Sequence, residues 1–424
     1  MDKWISLAVF TACYVLFIVL PNRRSWVACG GAIILIISGV LPWDEALVEK
    51  INWNVMGLFF GTLILAEMFM HSRVPAVIAE WLVDKMSTGR GAILILCTLS
   101  GIISAFVENV AVVLLMAPVA FSVAEKLKTN PVPILIGIAI SSNLQGTATM
   151  IGDPPSMILA GYMHMGFLDF FIYHGRPGIF FAVEIGAIAS LFVLFFIFRK
   201  EKQQITVLCV EKILSLFPSV LLIGLILALS VATLFDSEFR WFAGTITMVL
   251  ALIGVIWFRF IAKWGSLRKM FWELDWDTTF FLIGVFVVVG GLSDSGWLDV
   301  TAVFLSRILG SNVLLAFIVI VFLSVVLSAF VDNVPFLLAM IPVVQKLGNQ
   351  MQGAVVVLMF GLLIGSCLGG NITPIGASAN VVTIGLLKKN GYTVTFRQFL
   401  RIGIPFTVAA VLAACIFVWL TWGV

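Results

Sequence analysis

"SAFVENVAVVLLMAPV" (residues 104–119) and "SAFVDNVPFLLAMIPV" (residues 328–343) are one phrase written twice. Each sets an acid and an asparagine, Glu108-Asn109 and Asp332-Asn333, inside a long apolar run. A charge at the bilayer centre costs roughly 2.5–3.5 kcal/mol on insertion scales, so a chain that places one there twice needs a use for it. The surroundings make the bilayer the relevant solvent. Of 424 residues, 61% are hydrophobic and 11% charged, with a mean hydropathy of +1.14. Soluble domains run near 25% charged. The composition indicates an all-α polytopic membrane protein without a soluble domain and gives no footing for a nucleic-acid binder. The alternating segments of a β-barrel are absent from the sequence.

Working outward from the two phrases, spanning helices are expected near 4–20, 27–42, 54–70, 134–161, 178–198, 213–235, 241–260, 278–293, 354–387 and 402–421. A helix needs about 20 apolar residues to cross. The first segment, beginning at Trp4, lacks a basic leader and a small-residue cleavage site, so it is expected to be retained. Trp4, Trp26, Trp43, Trp53, Trp241, Trp257, Trp276 and Trp419 fall near segment ends, as interfacial tryptophans do. Short stretches near 75–86 and 298–309 are expected to be amphipathic. The phrase-bearing regions, 92–124 and 312–345, are too long for one span and too short for two with a loop. Each is expected to be a re-entrant hairpin, half a span in and half a span out. Irregular backbone at that depth must be buried in protein or line a wet cavity.

The basic residues test this count. With the N-terminus outside, the inner loops hold Arg23 and Arg24; Arg73, Lys85 and Arg90; Lys126 and Lys128; Arg199, Lys200, Lys202 and Lys212; Arg259, Lys263, Arg268 and Lys269; and Lys388, Lys389, Arg397 and Arg401. The outer loops hold only Lys50, Arg176, Arg240, Arg307 and Lys346. This bias obeys the positive-inside rule if both hairpins return to the side they left. Both termini are then expected outside the cell's inner (plasma) membrane.

The phrases belong to a longer repeat. Residues 104–157 align without a gap on 328–381, sharing Ser104, Asn109, Pro118, Gly137, Ser142, Gly146, Thr149 and Gly152 with their mates. Upstream, "NWN" at 52–54 mirrors "DWD" at 275–277. Two repeats are expected, 1–212 and 213–424, each with five spans plus one hairpin. Five being odd, the second is inverted, as in secondary transporters with broken helices near the midplane.

The second broken elements are "SSNLQGTATMIGDPPSMIL" (141–159) and "GSCLGGNITPIGASANVVT" (365–383). Gly146, Gly152, Pro154 and Pro155, and then Gly369, Gly370, Pro374 and Gly376, should unwind them. Unwound backbone frees carbonyls for a cation and half-helix N-termini for a polar solute. Asn143, Thr147, Thr149, Asn371, Thr373, Ser378 and Asn380 add neutral hydrogen-bonding groups. With Glu108, Asn109, Asp332, Asn333 and Asp153 they form the candidate solute and proton site. The competing reading of the set is a structural polar network joining two hairpins. For Asp153, whose mate is Ala377, it is a helix cap ahead of Pro154 and Pro155. Glu67 either pairs within the bundle or lies near an interface; Glu184 is expected to be interfacial. His71, His164 and His174 fall in expected loops without ligand spacing, so no metal and no cofactor are expected. Cys13, Cys29, Cys97, Cys209, Cys367 and Cys415 form no CxxC pair and are expected to be small packing residues, Cys367 at a tight crossing. "GASAN" at 376–380 faintly echoes a serine-protease turn, but with no membrane-embedded histidine an enzyme is not expected.

These motifs resemble the ArsB/NhaD permeases of the ion transporter superfamily: arsenite efflux permeases, sodium/proton antiporters, the melanosomal P protein and plant silicon efflux carriers. Dicarboxylate and citrate carriers are more distant relatives. The resemblance covers nearly the whole chain, and it implies a fixed scaffold with a moving transport part. Two residues depart from the pattern, Glu108 in place of the usual Asp and Ser156 in place of the usual Asn. The dicarboxylate relatives carry Ser-Asn-Thr at their tips, whereas acids stand here, which disfavours a dianion. The expected function is proton-coupled antiport exporting arsenite or antimonite; the alternative is Na+/H+ antiport, with carbonyls of 146–149 and 370–373 as sodium ligands. An anion or carboxylate transporter or a channel ranks below these. The expected partners are a small inorganic solute, H+, the lipid bilayer and a possible second copy.

Overall fold

The computed structural model describes residues 2–20, 23–204, 211–236, 239–264, 266–351 and 353–423. Cys209 lies outside the described residues. Helices dominate, and their order recurs. The first half opens with α1 (Asp2–Val19) and α2 (Arg24–Ile37), the second with α10 (Phe217–Phe235) and α11 (Phe242–Trp257). Then come α3 (Trp53–His71), α4 (Val74–Asp84), α5 (Gly89–Ser104), α6 (Asn109–Leu127), α7 (Pro131–Gly146), α8 (Pro154–Met163) and α9 (Ile179–Ile197). After a short α12 (Leu267–Glu273), the second half follows with α13 (Trp276–Asp294), α14 (Trp297–Leu309), α15 (Val313–Ser328), α16 (Asn333–Gln350), α17 (Val355–Gly369), α18 (Ser378–Lys389) and α19 (Phe396–Trp422). Among the described residues the only sheet is a two-residue antiparallel ladder, β1 (Ile172–Tyr173) with β2 (Arg176–Pro177).

Local sequence explains why helices begin at matching places. A polar side chain with a free acceptor satisfies the orphan N–H groups of a first turn. Asn52 accepts from Val55 N at 3.0 Å and Asp275 from Thr278 N at 2.9 Å. Thr88 starts α5 and Asn312 starts α15 in the same way. Glu108 accepts from Ala111 N, and Asp332 from Val334 N, each at 3.1 Å. The tip acids are therefore caps as well as charges, a placement the helix dipole favours.

Packing is reciprocal between the halves. Helix α2 lies on α13, and α11 lies on α3. Helix α8 reaches across to α16 and α17, while α18 reaches back to α6 and α7. Helices α5 and α6 pack on α7 as α15 and α16 pack on α17, and α9 pairs with α19. Each half thus completes its core with elements of the other, which ties both sets of breaks to one place.

Several expectations need correction. Among the described residues, seven helices are long and apolar enough to cross a membrane, with five shorter apolar helices beside them, where ten full spans were expected. The span expected near 27–42 stops at Ile37, because Gly39 takes a left-handed conformation with φ 74°. The hairpin arms exceed a half span: α5 has 16 residues and α6 has 19, or about 24 and 28 Å at 1.5 Å per residue. If their tips sit at the bilayer centre, their outer ends project past the hydrocarbon layer. His71 is not in a loop; it closes α3, where its ring meets Glu67 one turn earlier. Glu184 is not merely interfacial, since Gln145 Nε2 of α7 donates to its Oε2 at 3.1 Å.

Candidate transport site

The two broken elements are real breaks. Helix α7 ends at Gly146 and α8 starts at Pro154; α17 ends at Gly369 and α18 starts at Ser378. In each, a threonine hydroxyl donates to the carbonyl of the hairpin tip beside it. Thr149 bonds Ala105 O, and its mate Thr373 bonds Ala329 O. Glycine is needed where tip and break touch. A Cβ on Gly152 would lie 2.5 Å from Gly146 O and 2.8 Å from Ser104 O. On Gly376 it would lie 2.6 Å from Gly370 O and 2.9 Å from Ala329 O. Asn380 donates to Gly370 O and Thr373 O, each at 3.0 Å, while Ser156 in the other half reaches Thr147 O at 3.4 Å. So Thr149, Thr373 and Asn380 act as braces, and some of the carbonyls expected to hold a cation are already occupied by side chains.

Where the breaks cross, the halves are bonded directly. Asn143 Nδ2 donates to Asn371 Oδ1 and to Cys367 O, each at 3.0 Å, and Asn143 Oδ1 accepts from Asn109 Nδ2 at 3.2 Å. Cys367 is fully buried, with its thiol beside Thr147, as a small residue at a tight crossing would be. Ser104 donates to Asn109 Oδ1 at 2.7 Å. One polar chain therefore runs from the first tip through Asn143 to the second break.

Asp153 stands at the start of α8 but makes no capping hydrogen bond. It lines one small pocket with Asn109 and Asn333, one from each tip, and its Oδ2 has no hydrogen-bond partner among the described residues. The capping explanation therefore fails. The pocket around it, about 40 Å³, is lined by Glu108, Asn109, Asn143, Asp153, Asp332 and Asn333 among others. It shares Glu108, Asp332 and Ser378 with an open cavity of about 900 Å³. Glu67, Glu108, Glu273, Asp275, Asp277 and Asp332 face that cavity, against the guanidiniums of Arg24 and Arg73 and the ring of His71.

Three groups were not foreseen. Arg24, placed by the charge count in an inner loop, begins α2 and is 15% exposed. It binds Asp332, reaches Asp277 at 2.9 Å, Thr278 at 2.7 Å and Ser378 at 3.2 Å, and lies over the Phe281 ring. Asp275 and Asp277, read only as a repeat marker, are part of the cavity wall. The third is the trio Glu67, His71 and Glu273, whose ligand atoms lie within 4.8 Å of one another, a grouping able to hold a metal ion. The signal for it was the one-turn spacing of Glu67 and His71, hidden by reading His71 as a loop residue.

Comparison with known proteins decides the class. The chain matches the citrate transporter family (CitMHS) over residues 14–274 and 239–423. The chain belongs to the citrate transporter family. It is 30% identical over 425 residues to an uncharacterized transporter of Mycobacterium tuberculosis, covering 98% of each chain. It is 27% identical over 490 residues to the human P protein, covering 96% of this chain and 58% of that one. The YdaH transporter of Alcanivorax borkumensis shares the fold, with a TM-score of 0.61 at 12% identity over 99% and 97% of the two chains. MtrF of Neisseria gonorrhoeae, described as one of a class of antimetabolite efflux pumps, aligns at a TM-score of 0.55 and 11% identity over 92% and 85%. This family member is a membrane transporter of small solutes and not an enzyme.

Proposed function

We propose that this chain is a proton-coupled antiporter that exports arsenite or antimonite, carried where the two hairpin tips meet. The observation that supports this most is the convergence of Asn109 and Asn333, one from each tip, on the small pocket that the carboxylate of Asp153 also lines. A carboxylate reached by both tips responds to movement of either, which is the requirement for exchanging a proton for a solute. The fold enters as an inverted repeat of 1–212 and 213–424, with α5–α6 and α15–α16 as re-entrant hairpins, both termini outside and an inner-membrane location. Helix order and reciprocal packing support that arrangement.

The charge of the cavity bears on the solute. Six carboxylates against two guanidiniums disfavour a citrate trianion, which would enter only with cations bound. Arsenite is a mostly uncharged trihydroxide at neutral pH and avoids this repulsion. Asn143 and Ser378, which line the inner pocket, offer it hydroxyl-compatible partners. The same excess of acid favours a second reading, Na+/H+ antiport. A flux panel in everted vesicles, with arsenite, antimonite, sodium, lithium and citrate across a range of pH, separates them. Arsenite-evoked proton movement supports the first reading; a response to sodium alone replaces it with the second.

A further inference from the structure

We infer that Arg24 divides the labour between the two tip acids: it permanently cancels the charge of Asp332, leaving Glu108 as the tip acid whose charge the transported proton cancels. This deepens the proposed antiport and rests on it.

The guanidinium is used on every nitrogen. Nε meets Asp277, one terminal nitrogen meets Asp332 and Ser378, and the other meets Thr278. Such a fork is always charged at any working pH and fits carboxylates better than an ammonium would. An ionised partner within contact distance keeps a carboxylate ionised. Asp332 thus already has a fixed cation against it before any solute or proton arrives.

The first tip has no such cation against its acid among the described residues. Glu108 occupies the equivalent tip and accepts from Ala111 N, but no Lys or Arg nitrogen lies within ion-pair distance of it among the described residues. The helix end that corresponds to Arg24 is held by a neutral group instead: Asn54 binds Gly244 N at 2.6 Å and Phe239 O at 2.8 Å. Asn54 is the repeat mate of Asp277, so one position became Asn where it meets bare backbone and Asp where it meets Arg24. The charged groups facing Glu108 are Arg24 from α2, Asp275 from the start of α13, Asp153 from the start of α8 and Asp332 across the pocket; Glu67 and His71 of α3 line the same cavity. Carboxylates outnumber cations among them, so of the two tip acids an incoming proton is favoured at Glu108, which has no ion-pair partner among the described residues.

The test is proton-coupled flux in vesicles for wild type, Arg24→Gln, Asp332→Asn, the double variant and Glu108→Gln. Arg24→Gln leaves Asp332 without its cation, and Asp332→Asn leaves Arg24 with Asp277 alone, so flux should fall at least about tenfold in each. The double variant should exceed either single variant by about tenfold and keep the wild-type pH midpoint. Glu108→Gln should lose the pH dependence. A double variant that reaches the membrane yet stays as inactive as the singles, or one whose midpoint moves, overturns the inference. Should the double variant not insert, Arg24→Lys with Asp332→Glu keeps the pair; an unchanged midpoint then supports the inference, and a shifted one overturns it. Absence of proton-coupled flux in wild type contradicts the antiport reading itself, which is a separate outcome.

Discussion

Asn333, at the tip of the second hairpin, lines the same small pocket as Asp153 at the first half's break. Sequence order puts these residues in different halves, yet the fold sets them side by side. Helix α8 packs on α16, so the acid before α8 faces the asparagine that opens α16.

Asp153→Asn follows from that contact. The side chain does not cap α8, so the usual cap penalty of about 1 kcal/mol should not appear. Thermal unfolding in detergent should therefore stay near wild type, while proton-coupled flux falls by about tenfold or more, since a carboxylate of the proposed site is removed. Lost stability with normal flux would show that Asp153 is structural after all.

Glycine substitutions separate close approach from helix propensity. Gly152→Ala and Gly376→Ala each drive a methyl into tip carbonyls, and overpacking of this kind costs about 1–3 kcal/mol. Gly385→Ala, inside α18 with nothing within 4 Å of its Cβ, should instead gain about 0.5–1 kcal/mol. Unfolding midpoints should move down, down and up. Equal behaviour of all three would contradict the contact described at the tips.

At the crossing of the breaks, the backbone of Cys367 matters more than its thiol. Asn143 bonds the Cys367 carbonyl, and neighbouring hydroxyls are present to receive a serine. Cys367→Ser should keep arsenite flux within about twofold, because a satisfied polar replacement costs little. Asn143→Leu removes the amide that joins both halves and should reduce flux strongly with membrane insertion intact. Inactivity of Cys367→Ser would point to a direct thiol contact with the solute.

Much of the fold could be read in the sequence because its signals are local. The runs of Gly and Pro act within a turn of where they stand. The breaks at Gly146–Pro154 and Gly369–Ser378 were visible for that reason. Arg24 was not, because a basic residue at a helix start looks the same whether it faces water or a buried acid. Its partners, Asp277, Thr278, Asp332 and Ser378, come from three later elements, and only packing brings them together. The length of the hairpin arms was misjudged because apolar stretches do not show where a helix passes out of the hydrocarbon layer. Asp153 looked like a cap because it precedes two prolines. Its true direction is set by α16, a helix of the other half.

The most direct test loads everted vesicles with an acid interior and adds arsenite. The account predicts that arsenite dissipates the gradient in wild type and that Glu108→Gln abolishes the response. A gradient that ignores arsenite and antimonite but collapses on sodium would contradict it.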